Sequence, residues 1–166
     1  MKRKQKRIAA RPQNADAKPD LSRETNPRVL QDWVHSAHRL GRDDILHEAV
    51  GQLCRCEAPG IEDPLERAFT AMLLALEQGL MDDAAARRRV VRIRMKLERD
   101  GAERVLADLA AKANASDPFL KMHGYGLIEH APEALVLAHA ERFDGAVVEA
   151  ARQRMEEYGI DAAQFG

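Results

Sequence analysis

Apolar residues recur every three or four positions along most of the chain after about residue 25. The first such run follows Asn26-Pro27, a helix N-cap with proline in the first turn, and it ends at Gly41. Its apolar positions are Leu30, Trp33, Val34, Ala37 and Leu40. This spacing is that of one face of an α-helix, and the period-two alternation that is typical of strands does not occur. The pattern therefore predicts an all-α protein.

Helix caps divide the rest of the chain into seven further segments. A second helix is expected from Asp43 or Asp44 to a stop before Ala58-Pro59-Gly60. The third, the most apolar and central one, begins at Asp63-Pro64. The others are expected over residues 82–101 or 83–101, 102–113, 117–124, 132–142 and 144–159. Because the turns are short, neighbouring helices must run antiparallel. We predict about eight short-to-medium helices in a compact helical bundle or helical-hairpin array.

One of these hairpins has a recognisable turn. Residues 37–53 place a small residue and Leu40-Gly41 at the end of one helix and Ala49 inside the next. The segment resembles the turn of a tetratricopeptide repeat, although no second copy follows at that family's period of about 34 residues. The resemblance covers one hairpin and does not assign the chain to the family.

The chain is expected to consist of an arm and one domain. Residues 1–25 combine basic groups, Pro12, Pro19 and a polar run with almost nothing to bury, a composition typical of a flexible arm. The remaining residues, 26–166, have a length that suits one hydrophobic core. We therefore predict a flexible basic arm over residues 1–25 and a single all-α domain over residues 26–166.

Charge is distributed unevenly along the chain, although its net value is −1. Residues 1–11 carry six basic groups and no acidic one, and residues 87–99 carry seven basic groups with Glu98 as the single acid. The whole chain has 26 basic and 27 acidic residues, so the part outside these two segments has 13 basic against 26 acidic groups. The two segments are therefore exceptions in an acidic protein.

The second basic segment, RRRVVRIRMKLERDG over residues 87–101, is predicted to be an amphipathic helix. At 100° per residue its apolar positions form one stripe that can face the core: Ala86, Val90, Ile93 and Leu97. A well-separated side of the helix carries a row of five basic residues, about 16 Å long: Arg88, Arg89, Arg92, Lys96 and Arg99. Like charges four residues apart disfavour an isolated helix, so helix formation does not explain the row. We expect the row to face solvent and to carry one sign of charge.

These two basic segments favour a phosphate-bearing ligand. Lysine and arginine contacts to phosphates release counterions, and the guanidinium fork fits phosphate oxygens. We therefore predict a non-enzymatic protein that binds the backbone of DNA or RNA, without evident base readout. The predicted binding residues are Arg88, Arg89, Arg92, Lys96 and Arg99 in the helix and Lys2, Arg3, Lys4, Lys6 and Arg7 in the arm.

Two other interpretations of the charge remain open. In one, acidic groups of the same fold neutralise the row through intramolecular ion pairs, or a partner's acidic surface neutralises it. In the other, the protein is a helical-repeat-like adaptor without a nucleic-acid role, which receives another protein in a groove lined by Phe69 and Met72.

Catalytic, cofactor and metal motifs are not found. The sequence has no nucleophile elbow, no phosphate-binding glycine loop and no dinucleotide fingerprint, so we predict neither an enzyme nor a cofactor. The histidines and cysteines between His35 and Cys56 lack the spacing of a metal site, and no metal is predicted. An enzymatic site would require His123, His130 and His139 to converge.

Residues 109–124 have the rhythm of a helix-turn-helix. Ala115 occupies the turn position where glycine is usual, and Lys121 and Gly124 stand where side chains should pack inward. An ordinary pair of helices is therefore the favoured interpretation.

The sequence also bears on location. Residues 1–11 are basic without a following apolar run, and the longest apolar stretch, near residues 71–76, is far too short to span a membrane. Cys54 and Cys56 are two residues apart and are expected to be reduced, with Cys54 in the core. We expect a cytoplasmic protein with no membrane partner.

Overall fold

The computed structural model describes residues 18–56 and 58–166, and this part of the chain is all-helical. Its α-helices are α1 (Pro27–Leu40), α2 (Asp43–Cys56), α3 (Pro64–Gly79), α4 (Ala84–Asp100), α5 (Ala102–Ala110), α6 (Asp117–Tyr125), α7 (Pro132–Ala138) and α8 (Gly145–Glu157). Short 3-10 helices cover Ile128–His130, Ala140–Arg142 and Ala162–Gln164. The predicted all-α class and number of helices are confirmed. None of the described helices combines the length and the apolar character needed to cross a membrane.

The starts of α1, α3 and α4 follow the predicted caps. The Asn26 side chain accepts a hydrogen bond from the Arg28 N–H group at the start of α1, and the Asp83 carboxylate accepts one from Ala86 N–H at the start of α4. Gly41 ends α1 in the left-handed conformation with φ of 63°, which glycine adopts without strain. Local sequence therefore sets these boundaries.

Two predicted helix ends are wrong. The fifth helix stops at Ala110 instead of residue 113, and the carbonyl of Lys112 accepts a hydrogen bond from the Arg154 guanidinium of α8. The predicted helix over residues 132–142 breaks at His139, whose φ and ψ of −127° and 38° are not helical. A contact from a distant helix and a local backbone change thus shorten the two helices.

The third helix is central, as predicted. Leu65, Phe69, Met72, Leu73 and Leu76 of α3 are all fully buried. α3 contacts α1 and α2, which precede it in the chain, and α4, α5, α6 and α7, which follow it. Burial of large side chains is the main stabilising contribution to such a core. α3 therefore connects the two halves of the helical array.

The predicted boundary of the arm is wrong for residues 18–25. Leu21 is buried in the core, and its N–H group donates to Glu48 Oε1 at 3.2 Å. The Gln52 side-chain amide donates to the carbonyls of Ser22 and Glu24 at 3.2 and 2.9 Å. One apolar residue and the polar side chains of α2 hold this segment in place. The predicted arm residues Lys2, Arg3, Lys4, Lys6 and Arg7 lie outside the described residues.

A buried acid and a buried base lie between α7 and α8. Glu133 is 0% exposed, Arg154 is 5% exposed, and Arg154 Nη1 is 3.9 Å from Glu133 Oε1. This distance is too long for a hydrogen bond, and neither carboxylate oxygen has another partner among the described residues. Burial raises the pKa of Glu133 to about 7, against the opposing effect of Arg154. Glu133 is therefore a protonatable group inside the fold.

Candidate functional site

Helix α4 is anchored by the predicted apolar stripe. Ala86, Val90 and Leu97 are buried in the core, and Ile93 is half-buried and packs against it. The opposite side of the helix faces solvent, where Arg88, Arg92 and Arg99 are exposed. The helical arrangement predicted for the basic segment is therefore confirmed.

The basic row is not the uninterrupted cationic surface that the helical pattern predicted. Acidic residues of α5 and α6, and the last residue of α4, reach three of its five members. The pairs are Arg89 Nε with Asp117 Oδ2 at 2.5 Å, Lys96 Nζ with Asp108 Oδ2 at 2.6 Å, and Arg99 Nε with Asp100 Oδ1 at 2.7 Å. The prediction of a row that carries one sign of charge is wrong at these positions, because Asp108 and Asp117 of neighbouring helices and Asp100 of α4 itself place carboxylates beside it.

Each of these pairs shifts the pKa of at least one partner towards its charged form. Hydrogen bonding to Lys96 lowers the pKa of Asp108, and hydrogen bonding to Arg99 lowers that of Asp100. Asp117 raises the pKa of Arg89 in the same way. All three cations keep substantial exposure, so solvent screens the pairs and each contributes little to stability. A strong external anion can compete for such cations.

Arg88 and Arg92 form the unpaired part of the row. Both side chains are exposed, and within residues 18–56 and 58–166 neither has a carboxylate partner. Four residues of helix separate them, which is about 6 Å along the axis. Two guanidinium groups thus point into solvent, one helical turn apart.

Open clefts flank α4 on both sides. A cleft of about 610 Å³, here the α5–α6 cleft, is lined by Arg89, Arg92, Lys96 and Lys112, together with one acid, Asp117. A cleft of about 660 Å³, here the α3–α4 cleft, is lined by Arg87, Arg88, Arg92 and Arg94, together with one acid, Glu77. Arg92 borders both clefts. The middle of α4 is therefore a ridge with cations on each flank.

Lys112 is a site residue that the sequence analysis missed. It was placed inside a helix, but it lies in the turn after α5, where its side chain is exposed at the α5–α6 cleft. Arg154 Nη2 donates a hydrogen bond to the main-chain carbonyl oxygen of Lys112 at 2.5 Å. The sequence indicated an earlier helix end only through Asn114 and Ser116, which are common in turns and helix caps.

Arg87 and Arg94 have a structural role on the α3 side of the helix. Arg94 Nε lies 2.5 Å from Glu77 Oε1, and its Nη1 donates to Glu98 at 3.0 Å. Arg87 Nε donates to the main-chain carbonyl of Glu77 at 3.0 Å. Glu77 is only 8% exposed, so its charge depends on Arg94 for compensation. Both arginines thus fix α4 against α3.

Phe69 and Met72, the residues predicted to line an adaptor groove, do not line a groove in the described part of the chain. Both side chains are fully buried in the core and offer no surface to a partner. Two other methionines are exposed near the basic row, Met81 at 48% and Met95 at 60%. Met81 and Met95 are therefore large apolar side chains that a partner could contact at this site.

The three histidines proposed for an enzymatic site do not share one. His123 contacts the rings of Phe119 and Tyr158, whereas His130 lies beside Glu129. Hydrogen bonding to Arg142 lowers the pKa of Asp63, at the start of α3, and His139 contributes to the same shift. Across the described residues there is no group of three or more histidine, cysteine or acidic side chains that could hold a metal ion. Cys54 is buried in the core, as predicted.

The fold and the site define an all-α protein with a cationic helix ridge between two clefts. The chain matches no protein-family model, no curated protein and no solved structure. Its function is therefore inferred from the exposed basic side chains of α4 and of the turn after α5.

Proposed function

We propose that this protein is a non-enzymatic nucleic-acid-binding protein that contacts backbone phosphates with α4. The observation that carries the proposal is the exposed pair Arg88 and Arg92, which have no carboxylate partner in the described part of the chain. Lys112, across the α5–α6 cleft, is a third exposed cation without a carboxylate partner among residues 18–56 and 58–166. Unpaired guanidinium groups at fixed spacing suit phosphate oxygens, because each presents several donors in a rigid fork.

The cations that are paired with carboxylates, Arg89 and Lys96, add positive charge to the proposed binding surface. Arg89 and Lys96 line the same cleft as Lys112, and their carboxylate partners hold them only through partly exposed ion pairs. Residues 1–11 supply six further basic groups in the sequence. Polyanion binding would therefore begin at the unpaired cations and extend to these groups.

Salt dependence tests the electrostatic origin of binding. With three phosphate contacts the slope of log affinity against log salt is about −2.7, so raising salt from about 50 to 200 mM should weaken binding roughly fortyfold. Contacts from the arm would make the slope steeper. Fluorescence anisotropy with a labelled oligonucleotide measures this directly. Absence of binding at the lower salt, or an affinity that salt does not change, would refute the proposal.

Neutralising the unpaired arginines should have a large effect on affinity. We expect Arg88→Gln/Arg92→Gln to reduce the salt slope by about 1.8 and to weaken binding on the order of fiftyfold near 0.1 M salt. The control is Arg23→Gln/Arg28→Gln, which removes the same charge from two exposed positions at the start of the domain. Circular dichroism should show both variants folded. Equal losses in the two variants would mean that net charge, not α4, determines binding.

The adaptor remains a second candidate, favoured by the exposed methionines. Met81 lines the α3–α4 cleft with Arg88 and Arg92, and the exposed Met95 follows Arg92 within one turn of α4. Protein interfaces are enriched in methionine and arginine. Met81→Gln/Met95→Gln should leave phosphate-driven binding within about twofold, since neither residue changes charge. A nucleic-acid affinity that drops tenfold or more in this variant would contradict the proposed mode of binding.

A further inference from the structure

The two clefts beside α4 help to decide whether duplex DNA, duplex RNA or a single strand fits this surface. We infer, on the basis of the proposed function, that the ligand is duplex DNA, with the middle of α4 in the major groove and one phosphate row over each cleft. The unpaired cations are placed for this arrangement: Arg88 lines the α3–α4 cleft, Lys112 lines the α5–α6 cleft, and Arg92 borders both.

The dimensions of α4 agree with those of the groove. An α-helix with its side chains is about 10 to 12 Å wide, and the major groove of B-form DNA is about 12 Å wide. Residues 87–96 contain six basic groups and no acidic one. This segment is about 15 Å long, which corresponds to roughly four base pairs. Asp83 before it and Glu98 and Asp100 after it limit the contact to the middle of the helix.

Basic side chains on both flanks of α4 favour binding in the groove of a duplex over binding along a single strand. The two backbones that border a major groove run on opposite sides of an inserted helix, so each would meet its own cluster of basic side chains. A single strand lying along one flank would leave the other cluster unused. The acid in each cleft, Glu77 or Asp117, is already paired with an arginine of α4. Each flank therefore keeps a net positive charge towards a phosphate row.

The composition of the basic surface also disfavours single strands. Proteins that hold single-stranded nucleic acid stack its bases on aromatic side chains. Residues 81–117 contain no phenylalanine, tryptophan or tyrosine, and neither do residues 1–17. Of the tyrosines, Tyr158 packs against Phe119 and His123, and Tyr125 is half-buried in a cleft lined by Asp82 and Asp83. Residues 81–117 thus offer basic side chains that suit phosphates but no aromatic side chain on which a base could stack.

The deciding experiment compares four probes with the full chain at about 50 mM salt. They are a mixed-sequence duplex DNA of about 16 base pairs, each of its single strands, and the duplex RNA of the same sequence. We expect duplex DNA to bind at least tenfold more tightly than any other probe, because losing one phosphate contact lowers affinity about fifteenfold at this salt. Duplex RNA should bind weakly, since its major groove is too deep and narrow for a helix.

Two single variants test whether both flanks are used. Arg88→Gln and Lys112→Gln should each weaken duplex binding by about fifteenfold, and Arg23→Gln should leave it unchanged. Sensitivity to only one of the first two variants, or single strands or duplex RNA binding as tightly as duplex DNA, would overturn the inference while the proposed function stands. If none of the four probes binds, the proposed function itself has failed.

Discussion

Replacing Arg94 with methionine is expected to destabilise the protein by about 2 to 3 kcal/mol. The variant leaves Glu77, 8% exposed, without the guanidinium that lies 2.5 Å from its carboxylate. Removing one partner of a fully buried pair costs about 3 to 5 kcal/mol, and a smaller loss is expected here because Arg94 keeps 27% exposure. Urea unfolding followed by circular dichroism measures the change in the free energy of unfolding.

The same helix offers a matched control. Arg88→Met makes the same chemical change at an exposed position without a partner in the described chain, and it should alter stability by less than about 0.5 kcal/mol. Adding Glu77→Gln to the Arg94→Met variant should recover most of the lost stability, because the uncompensated buried charge is then gone. Equal losses in Arg94→Met and Arg88→Met would show that the Glu77 pair does not hold α4.

The buried Glu133 is expected to make stability fall as pH rises from about 4.5 to 7. Its pKa is raised from 4.5 to about 7 in the folded protein, so the folded state binds the proton more tightly than the unfolded chain. Stability from this group is fully present below pH 4.5 and is lost as the pH passes through 7. At about 1.4 kcal/mol per pKa unit the total loss is roughly 3 kcal/mol.

Glu133→Gln isolates this effect. The amide cannot ionise, so the variant should gain stability relative to the wild type by roughly 3 kcal/mol between pH 4.5 and pH 8. The difference between the two proteins is the useful quantity, because burial lowers the pKa of His130 and this histidine changes stability in the opposite direction. A stability difference that is the same at every pH would mean that Glu133 is not buried as a protonatable group.

The parts of the fold that sequence could predict are those set by neighbouring residues. The Asn26 and Asp83 caps and the stripe of Val90, Ile93 and Leu97 depend on interactions within one helix, and the structure has them where the pattern placed them. The charge state of the basic row depends on packing between helices. Helical periodicity puts Lys96 on the same face as Arg92, but it does not show that Asp108 on the next helix comes within 2.6 Å of Lys96.

The misplaced adaptor groove has a similar cause. Apolar residues at helical spacing identify the buried face of a helix, and Phe69 and Met72 follow that spacing in the most apolar helix. The exposed Met81 and Met95 lie outside any apolar stripe, so helical spacing does not identify them as a contact surface. Lys112 was misplaced because α5 ends three residues early, at a turn that Arg154 holds from a helix 42 residues away in sequence.

The central position of α3 has a consequence for how the protein unfolds. α3 contacts α1 and α2, which precede it in the chain, as well as α4 to α7, which follow it, and its large side chains belong to one continuous core. Loss of α3 would remove the packing surface of both halves at once. The described domain should therefore melt in a single cooperative transition, with calorimetric and van't Hoff enthalpies that agree.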